Sequence, residues 1–105
     1  MARDQRRLAA ILAADVVGYS RLVGRDESGT VRRLRTIRKQ HLEPVLARRG
    51  GRIVKLTGDG VLVEFSSAVE ALTAAIEFQQ TILDESRDQA EGKAILFRMG
   101  YISAT

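Results

Sequence analysis

The chain has 105 residues, and since a domain holds ~150 residues on average, we expect one domain spanning residues 1–105. Hydrophobic residues make up 45% of the sequence and charged residues 29%, which is ordinary globular composition and excludes a disordered or collagen-like chain. The sequence holds no cysteine and one histidine, which excludes disulfides, thiolate catalysis and metal centres built on cysteine. Oxygen atoms are therefore the ligands that remain for a metal ion.

The net charge of +4 is divided unevenly along the chain. Residues 1–58 carry 14 Lys and Arg against five acidic residues, whereas residues 59–105 carry three against eight. A basic half can attract polyanions, but the acidic half argues against a protein that binds nucleic acid nonspecifically.

Apolar runs in the sequence are short. The longest uninterrupted run, residues 8–14, stops before Asp15 and is far shorter than the ~20 residues that a membrane-spanning helix needs, so we expect no membrane span. A chain without cysteine fits a reducing compartment, and we expect a cytoplasmic location.

The first half of the chain predicts a strand followed by an amphipathic helix. Residues 8–17 form an apolar run that we interpret as a buried strand, because it ends in Val16-Val17-Gly18 and no helix cap precedes it. Asp26 is predicted to cap a helix that ends at Gly50-Gly51, and Pro44 should kink this helix or start its final turn. The predicted apolar positions of the helix are Val31, Leu34, Ile37, Leu42, Val45 and Leu46.

The second half predicts a hairpin, a helix and a last strand. Residues 53–57 and 61–65 are rich in β-branched residues and flank Gly58-Asp59-Gly60, a strong hairpin signal. Ser67 and Glu70 have the spacing of a capping box, which predicts a helix to about residue 85. The apolar stripe predicted for this helix consists of Val69, Leu72, Ile76 and Leu83. The last strand is predicted from the alternation of Ile95, Phe97, Met99 and Tyr101 with their neighbours.

The predicted element order is β-α-β-β-α-β, an α+β arrangement of the ferredoxin-like type. Its antiparallel sheet has strand order 4-1-3-2, with both helices on one face. In this topology the turn before the third strand lies beside the end of the first strand. Asp15 and Asp59 are therefore expected to be neighbours.

Two neighbouring carboxylates repel each other unless a cation or hydrogen bonds compensate their charge. Mg²⁺ prefers oxygen ligands and commonly binds one or two protein carboxylates together with substrate phosphates. An aspartate at a strand end or in a Gly-Asp-Gly turn also occurs for turn chemistry alone, and this alternative stays open for each residue singly. Asp15 is the less ordinary of the two, because it continues an apolar run where an unpaired charge is costly.

Two segments carry a family resemblance: A-D-V-V-G-Y-S at 14–20 and K-x-x-G-D-G-x-x-x-x-F at 55–65. With their surroundings over residues 7–100, they resemble the catalytic domain of class III nucleotidyl cyclases, the adenylate and guanylate cyclases, in the bacterial style. The resemblance implies metal binding by Asp15, Asp59 and the backbone carbonyl of Val16. It also implies a triphosphate-holding loop at Gly18, Tyr19 and Ser20, and a purine-reading role for Lys55 that favours ATP over GTP.

The activity that the resemblance implies is conversion of ATP to cyclic AMP and pyrophosphate with two Mg²⁺ or Mn²⁺ ions. Active sites of this family lie at a head-to-tail dimer interface, so a homodimer or pairing with a complete cyclase domain is expected. After Gly100 the resemblance ends, and the segment that carries a second base-reading residue and a transition-state Asn/Arg pair does not follow in this sequence. The chain alone is therefore expected to be weakly active or inactive.

Three other interpretations remain open. A noncatalytic dimerisation or regulatory module derived from a cyclase would have the same sequence features. Nucleic-acid binding on the sheet is disfavoured, because strands of this kind need exposed aromatic residues for base stacking. A diguanylate-cyclase-like or polymerase-palm domain shares the two-metal architecture, but the Gly-Gly-Asp/Glu-Glu-Phe signature of the former is absent. The basic residues that raise the nucleic-acid interpretation are Arg32, Arg33, Arg35, Arg38, Lys39, Arg48, Arg49 and Arg52.

Overall fold

A computed structural model describes residues 9–87 and 95–104. The strands are β1 (Ala9–Val16), β2 (Arg52–Leu56), β3 (Gly60–Phe65) and β4 (Phe97–Ala104). The helices are α1 (Tyr19–Arg25), α2 (Glu27–Ile37), α3 (Glu43–Arg49) and α4 (Ala68–Ser86), with a π-helical turn (Arg38–Leu42) between α2 and α3. In the part of the chain described, no helix is both long enough and apolar enough to cross a membrane.

The four strands form one antiparallel sheet in the order β2-β3-β1-β4, which is the predicted order 4-1-3-2 viewed from the other edge. Strand β1 is central and pairs with β3 on one side and β4 on the other. The predicted α+β, ferredoxin-like fold is therefore confirmed. In the β1–β3 register Asp15 is the partner of Gly60, so the hairpin turn lies beside the end of β1.

Strand β1 has two different faces. Its even-numbered residues from Ala10 to Val16 are buried, with at most 6% of each residue exposed, and they belong to the apolar core under the helices. Its odd-numbered residues from Ile11 to Asp15 are only half-buried. This two-residue alternation shows that the helices cover one face of the sheet and leave the other uncovered by any described element.

The region predicted as one helix from Asp26 to residue 49 is helical without a break, with an irregular π-helical turn before Pro44. Asp26 caps α2 as predicted, because its Oδ1 accepts a hydrogen bond of 3.0 Å from the Gly29 amide. The π-helical turn precedes Pro44, so the helix changes its hydrogen-bond pattern next to the residue that lacks an N–H group. Helix α1 was not predicted, since residues 19–25 offer neither an N-cap side chain nor a regular apolar stripe.

Ser67 caps helix α4: its hydroxyl accepts a hydrogen bond of 3.1 Å from the Glu70 amide, as predicted from the capping box. Its predicted apolar stripe is wrong. The four predicted residues are 48–72% exposed, whereas the buried face consists of Ala71, Ala74, Phe78 and Ile82. The two alanines carry little hydrophobicity in a sequence pattern, but their small size lets the helix approach the sheet closely.

Candidate active site

The uncovered face of the sheet carries an open cavity of about 540 Å³. Four charged side chains line it: Asp15 from β1, Lys55 from β2, Asp59 from the hairpin turn and Arg98 from β4. Its remaining wall includes small and apolar residues, among them Ala13, Leu62 and Gly100. A cavity of this volume with a few convergent polar groups has the character of a small-molecule site.

The hairpin turn holds Asp59 close to the end of β1. The turn is closed by two contacts of 2.9 Å, from the Thr57 amide to the Gly60 carbonyl and from the Gly60 amide to the Thr57 hydroxyl. Gly60 in turn pairs with Asp15 across the sheet. Both carboxylates that the sequence predicted as neighbours therefore line the same cavity.

Gly60 allows this close approach because it has no side chain. A Cβ atom at this position would lie 2.9 Å from the Thr57 hydroxyl and 3.0 Å from the backbone oxygen of Ala14. A backbone oxygen in a regular strand cannot move aside cheaply. Glycine at position 60 is therefore what lets the hairpin turn pack against β1.

Arg98 is the charged residue of the cavity that the sequence did not predict. It lies directly opposite Asp15 in the β1–β4 register, and its guanidinium donates from Nε to Oδ1 and from Nη2 to Oδ2, both at 3.1 Å. These hydrogen bonds, and the charges of Asp15 and Asp59, raise the pKa of Arg98. The available signal was the alternation of β4, which places Arg98 on the face opposite to Phe97 and Met99.

Lys55 lies on the same face, opposite Leu62 in the β2–β3 register, and its side chain is exposed. A bulge between Ile53 and Lys55 shifts the register of β2 at this point. No residue in the described ranges forms an ion pair with Lys55. Its ammonium group is therefore available to a ligand in the cavity.

The predicted triphosphate loop lies after β1 and does not line the cavity. Gly18 has a left-handed backbone (φ 68°), and Tyr19 and Ser20 form the first turn of α1. A Cβ atom on Gly18 would lie 2.9 Å from the guanidinium of Arg21, so a cation not predicted from the sequence borders this loop. The Tyr19 hydroxyl would lie 3.7 Å from a Cβ atom on Gly58, which places this loop beside the hairpin turn.

Val16, the third predicted metal ligand, has only 2% of its surface exposed, and its side chain packs in the apolar core. The predicted role uses only its backbone carbonyl, and Val16 is not among the residues that line the cavity. No group of three or more His, Cys, Asp or Glu residues that could hold a metal ion occurs among the residues described. Two carboxylates beside an open cavity nonetheless suit Mg²⁺, which keeps several waters and shares its coordination with substrate phosphates.

Known proteins are similar to the chain in both sequence and fold. A curated protein, "Putative adenylate cyclase 3" of Rhizobium meliloti (strain 1021), is 53% identical over 96 residues, which cover 91% of this chain and 16% of that protein. A crystal structure of an adenylate/guanylate cyclase/hydrolase from Silicibacter pomeroyi superposes with a TM-score of 0.85 at 42% identity, covering 93% of this chain and 57% of that one. The chain belongs to the class III nucleotidyl cyclase family. No family model matches it.

More distant members of the cyclase family have the same fold. The adenylyl cyclase CyaB from P. aeruginosa superposes with a TM-score of 0.76 at 22% identity, covering 95% of this chain and 57% of that one. The chain thus spans little more than half of these solved cyclase chains and about a sixth of the curated relative. The likeness includes the β1 and hairpin segments on which the cavity is built.

Proposed function

We propose that this chain is part of an adenylate cyclase, which converts ATP to cyclic AMP and pyrophosphate. The observation that carries the proposal is that Asp15, Asp59 and Lys55 line one cavity on the uncovered face of the sheet. The 53% identical relative, described as a putative adenylate cyclase, supports the same class of reaction.

Asp15, Asp59 and the backbone carbonyl of Val16 would hold two Mg²⁺ or Mn²⁺ ions. When bound, such ions increase the acidity of the ribose 3′-hydroxyl and neutralise charge on the triphosphate. The two carboxylates orient this end of the nucleotide, because they project from a regular strand and from a turn closed by backbone hydrogen bonds. Asp59 is fixed in particular by the Thr57–Gly60 contacts on either side of it.

Lys55 would select the base. Its ammonium group can donate a hydrogen bond to a purine ring nitrogen that is an acceptor in adenine. The same position in guanine is a hydrogen-bond donor and cannot accept this bond. Gly18, Tyr19 and Ser20 would hold the triphosphate through backbone N–H groups at the turn into α1, with Gly18 permitting close approach.

The partner that we propose is a second cyclase domain that covers the uncovered face of the sheet, either a second copy of this chain or a complete cyclase domain. A cavity that is open on a bare sheet face cannot exclude water by itself, and transfer at a phosphorus atom benefits from a closed site. One protein of the same fold, the guanylyl cyclase domain of the RhoGC fusion protein from Blastocladiella emersonii, has been solved as a non-canonical dimer, which supports pairing between two such domains.

The test uses a heterodimer in which turnover depends on the carboxylates of this chain. The partner is a homologous complete cyclase domain whose own two metal-binding aspartates are replaced by Asn. With ATP and Mn²⁺, the mixture should form cyclic AMP, and Asp59→Asn in this chain should lower the rate at least about a hundredfold, because a metal ligand is lost. Asp84→Asn, which removes an exposed carboxylate on α4, is the matched control and should leave the rate unchanged.

Absence of cyclic AMP from the mixture, or a rate that Asp59→Asn leaves intact, would contradict the proposal. If this chain instead changed the turnover of an unmodified partner, and Asp59→Asn left that effect intact, the chain would be a regulatory module.

A further inference from the structure

Arg98 forms an ion pair with Asp15, whose carboxylate the proposed function assigns to a metal ion. Both oxygens of Asp15 accept hydrogen bonds from one guanidinium group, each at 3.1 Å. The two residues are direct partners in the β1–β4 register, so the backbone itself brings them together. Arg98 is thus a built-in cation at the position where a divalent cation would bind.

The charges that line the cavity are balanced without any ligand. Asp15 and Asp59 contribute two negative charges, while Lys55 and Arg98 contribute two positive charges. A divalent cation alone would therefore enter a cavity with no excess of negative charge, and it would meet the guanidinium at short range. A cation that arrives with a polyphosphate brings its own excess of negative charge.

The pair is also able to open. The side chains of Asp15 and Arg98 are 41% and 70% exposed, and exposed pairs of this kind are weak because water screens them. Arg98 has a long side chain that water can reach, so it can leave Asp15 while the sheet stays intact.

We infer that Arg98 is an internal counter-cation that opposes the binding of a divalent cation alone and thereby couples cation binding to the binding of a polyphosphate. This inference rests on the proposed function, since it assumes the metal site at Asp15 and Asp59. Coupling of this kind is reciprocal: the anion strengthens binding of the cation by the same factor by which the cation strengthens binding of the anion. Arg98 therefore disfavours a state in which the metal is bound without nucleotide.

The experiment measures binding rather than turnover. Electron paramagnetic resonance of free Mn²⁺ gives the affinity of the chain for Mn²⁺ alone, and water-proton relaxation gives its affinity for the preformed complex of Mn²⁺ with tripolyphosphate. We expect Arg98→Gln to bind Mn²⁺ alone about five- to tenfold more tightly than the wild type, since one opposing charge near the metal is removed. Affinity for the Mn²⁺–tripolyphosphate complex should not rise.

Arg52→Gln is the matched control. Arg52 forms an ion pair with Glu64, also between neighbouring strands of the sheet, but neither residue lines the cavity. This variant loses the same charge and should bind Mn²⁺ as the wild type does. In the double variant Asp15→Asn/Arg98→Gln the tighter binding should disappear.

A second variant, Arg98→Lys, keeps the charge but loses the two-point contact, and it should tighten Mn²⁺ binding less than Arg98→Gln does. Equal Mn²⁺ affinities of wild type and Arg98→Gln, or an equal gain in Arg52→Gln, would overturn the inference while leaving the proposed function standing if Asp15→Asn still weakens binding. If neither wild type nor Arg98→Gln binds Mn²⁺ at the aspartates, the proposed metal site fails as well.

Discussion

A single glycine sets how near Asp59 lies to Asp15. Gly60 pairs with Asp15 across the sheet, and a Cβ atom in its place would press on the backbone oxygen of Ala14 and the hydroxyl of Thr57. The spacing of the two carboxylates therefore depends on the smallest residue in the hairpin turn rather than on either aspartate.

The first prediction concerns Gly60→Ala. The added methyl group should push the turn away from β1, lowering stability by about 1–3 kcal/mol and weakening Mn²⁺ binding. Chemical denaturation and Mn²⁺ titration measure the two effects. Gly24→Ala is the control: nothing lies within 4 Å of its Cβ position, so alanine in α1 should be neutral or stabilising. Equal behaviour of the two variants would show that the turn tolerates a side chain.

Three of the four charged residues that line the cavity were predicted from the sequence. Asp15 and Asp59 were predicted as neighbours, and Lys55 was predicted from the family resemblance. Asp15 was conspicuous because it interrupts an apolar run, and Asp59 because glycines flank it. Arg98 was not selected, because an arginine in an alternating strand is usually a solvated residue. The role of Arg98 depends on which residue of β1 lies opposite it, and this register cannot be predicted from the sequence of β4 alone.

At the scale of elements, α4 shows how a helix can bury the face that its sequence favours less. The exposed side chains Val69 and Ile76 are larger than the buried Ala71 and Ala74. The buried face gains from close approach to the sheet and from Phe78, whose ring meets that of Phe97 edge-on at 5.1 Å. A hydrophobicity pattern counts apolar residues, but it does not count the contacts that small residues permit.

The second prediction compares the two faces of α4. Phe78→Ala should lower the free energy of unfolding by about 3–5 kcal/mol, because it leaves a cavity in the core. Ile76→Ala should change it by less than about 0.5 kcal/mol, since 69% of this residue is exposed. Urea denaturation measures both values. A large loss from Ile76→Ala would indicate that a partner or another segment covers this face.

Helices α3 and α4 are also joined by charge. Glu77 of α4 accepts hydrogen bonds from Arg49 and Arg48 of α3, the latter at 3.3 Å. The hydrogen bond from Arg49, followed in importance by that from Arg48, lowers the pKa of Glu77 below its ordinary value of 4.5. Arg49 also forms an ion pair with Glu70 at 3.8 Å, so two carboxylates of α4 balance these two arginines, which raised the possibility of nucleic-acid binding.

The third prediction follows from the lowered pKa of Glu77. Because the folded state favours the ionised form, Glu77 contributes stability that is present above its unfolded-state pKa and is lost as the pH falls through the folded-state pKa. Glu77→Gln should therefore have a lower Tm than the wild type at pH 7. The difference should shrink as the pH falls below 4.5. Thermal unfolding followed by circular dichroism between pH 7 and pH 3 measures it, and a difference independent of pH would contradict the assignment.

The strands and the hairpin were predictable, because their β-branched residues, alternation and Gly-Asp-Gly turn all indicate the same structure. The helical region from residue 19 to 49 was less so. Helix α1 begins after a left-handed glycine without a side-chain cap, so no local signal marks its start. Pro44 predicted an irregularity in the following helix, but not that it takes the form of a π-helical turn.

At the scale of the whole molecule, one face of the sheet is covered by helices and the other carries the cavity. Topology was predictable because few connections satisfy the β-α-β-β-α-β order. The partner that covers the second face of the sheet was not predictable, since no described element of the chain lies on that face. A second cyclase domain is the partner that we propose.

The fourth prediction tests this partner. Ile11 lies on the uncovered face, outside the cavity, and is opposite Glu64 in the register. Ile11→Lys should keep the fold, because position 11 is half-buried on the uncovered face and its ammonium group can reach water, but it should weaken association with a complete cyclase domain at least about tenfold. Sedimentation velocity of the mixture measures the association. Val69→Lys on the outer face of α4 is the control and should associate as the wild type does. Unchanged association of Ile11→Lys, or an equal loss in both variants, would contradict an interface on the uncovered face.

The alternation along β1 keeps structural stability and chemistry on separate residues of one strand. Packing under the helices can be altered at Ala10 or Leu12 without replacing a residue that lines the cavity. Asp15 can likewise be replaced without changing a side chain of the core. Insertion or deletion of one residue within β1 would instead shift the register by one position. The Asp15 carboxylate would then point into the hydrophobic core, and core side chains would point to the uncovered face. Evolution and protein engineering can therefore vary the composition of this strand, but not its length.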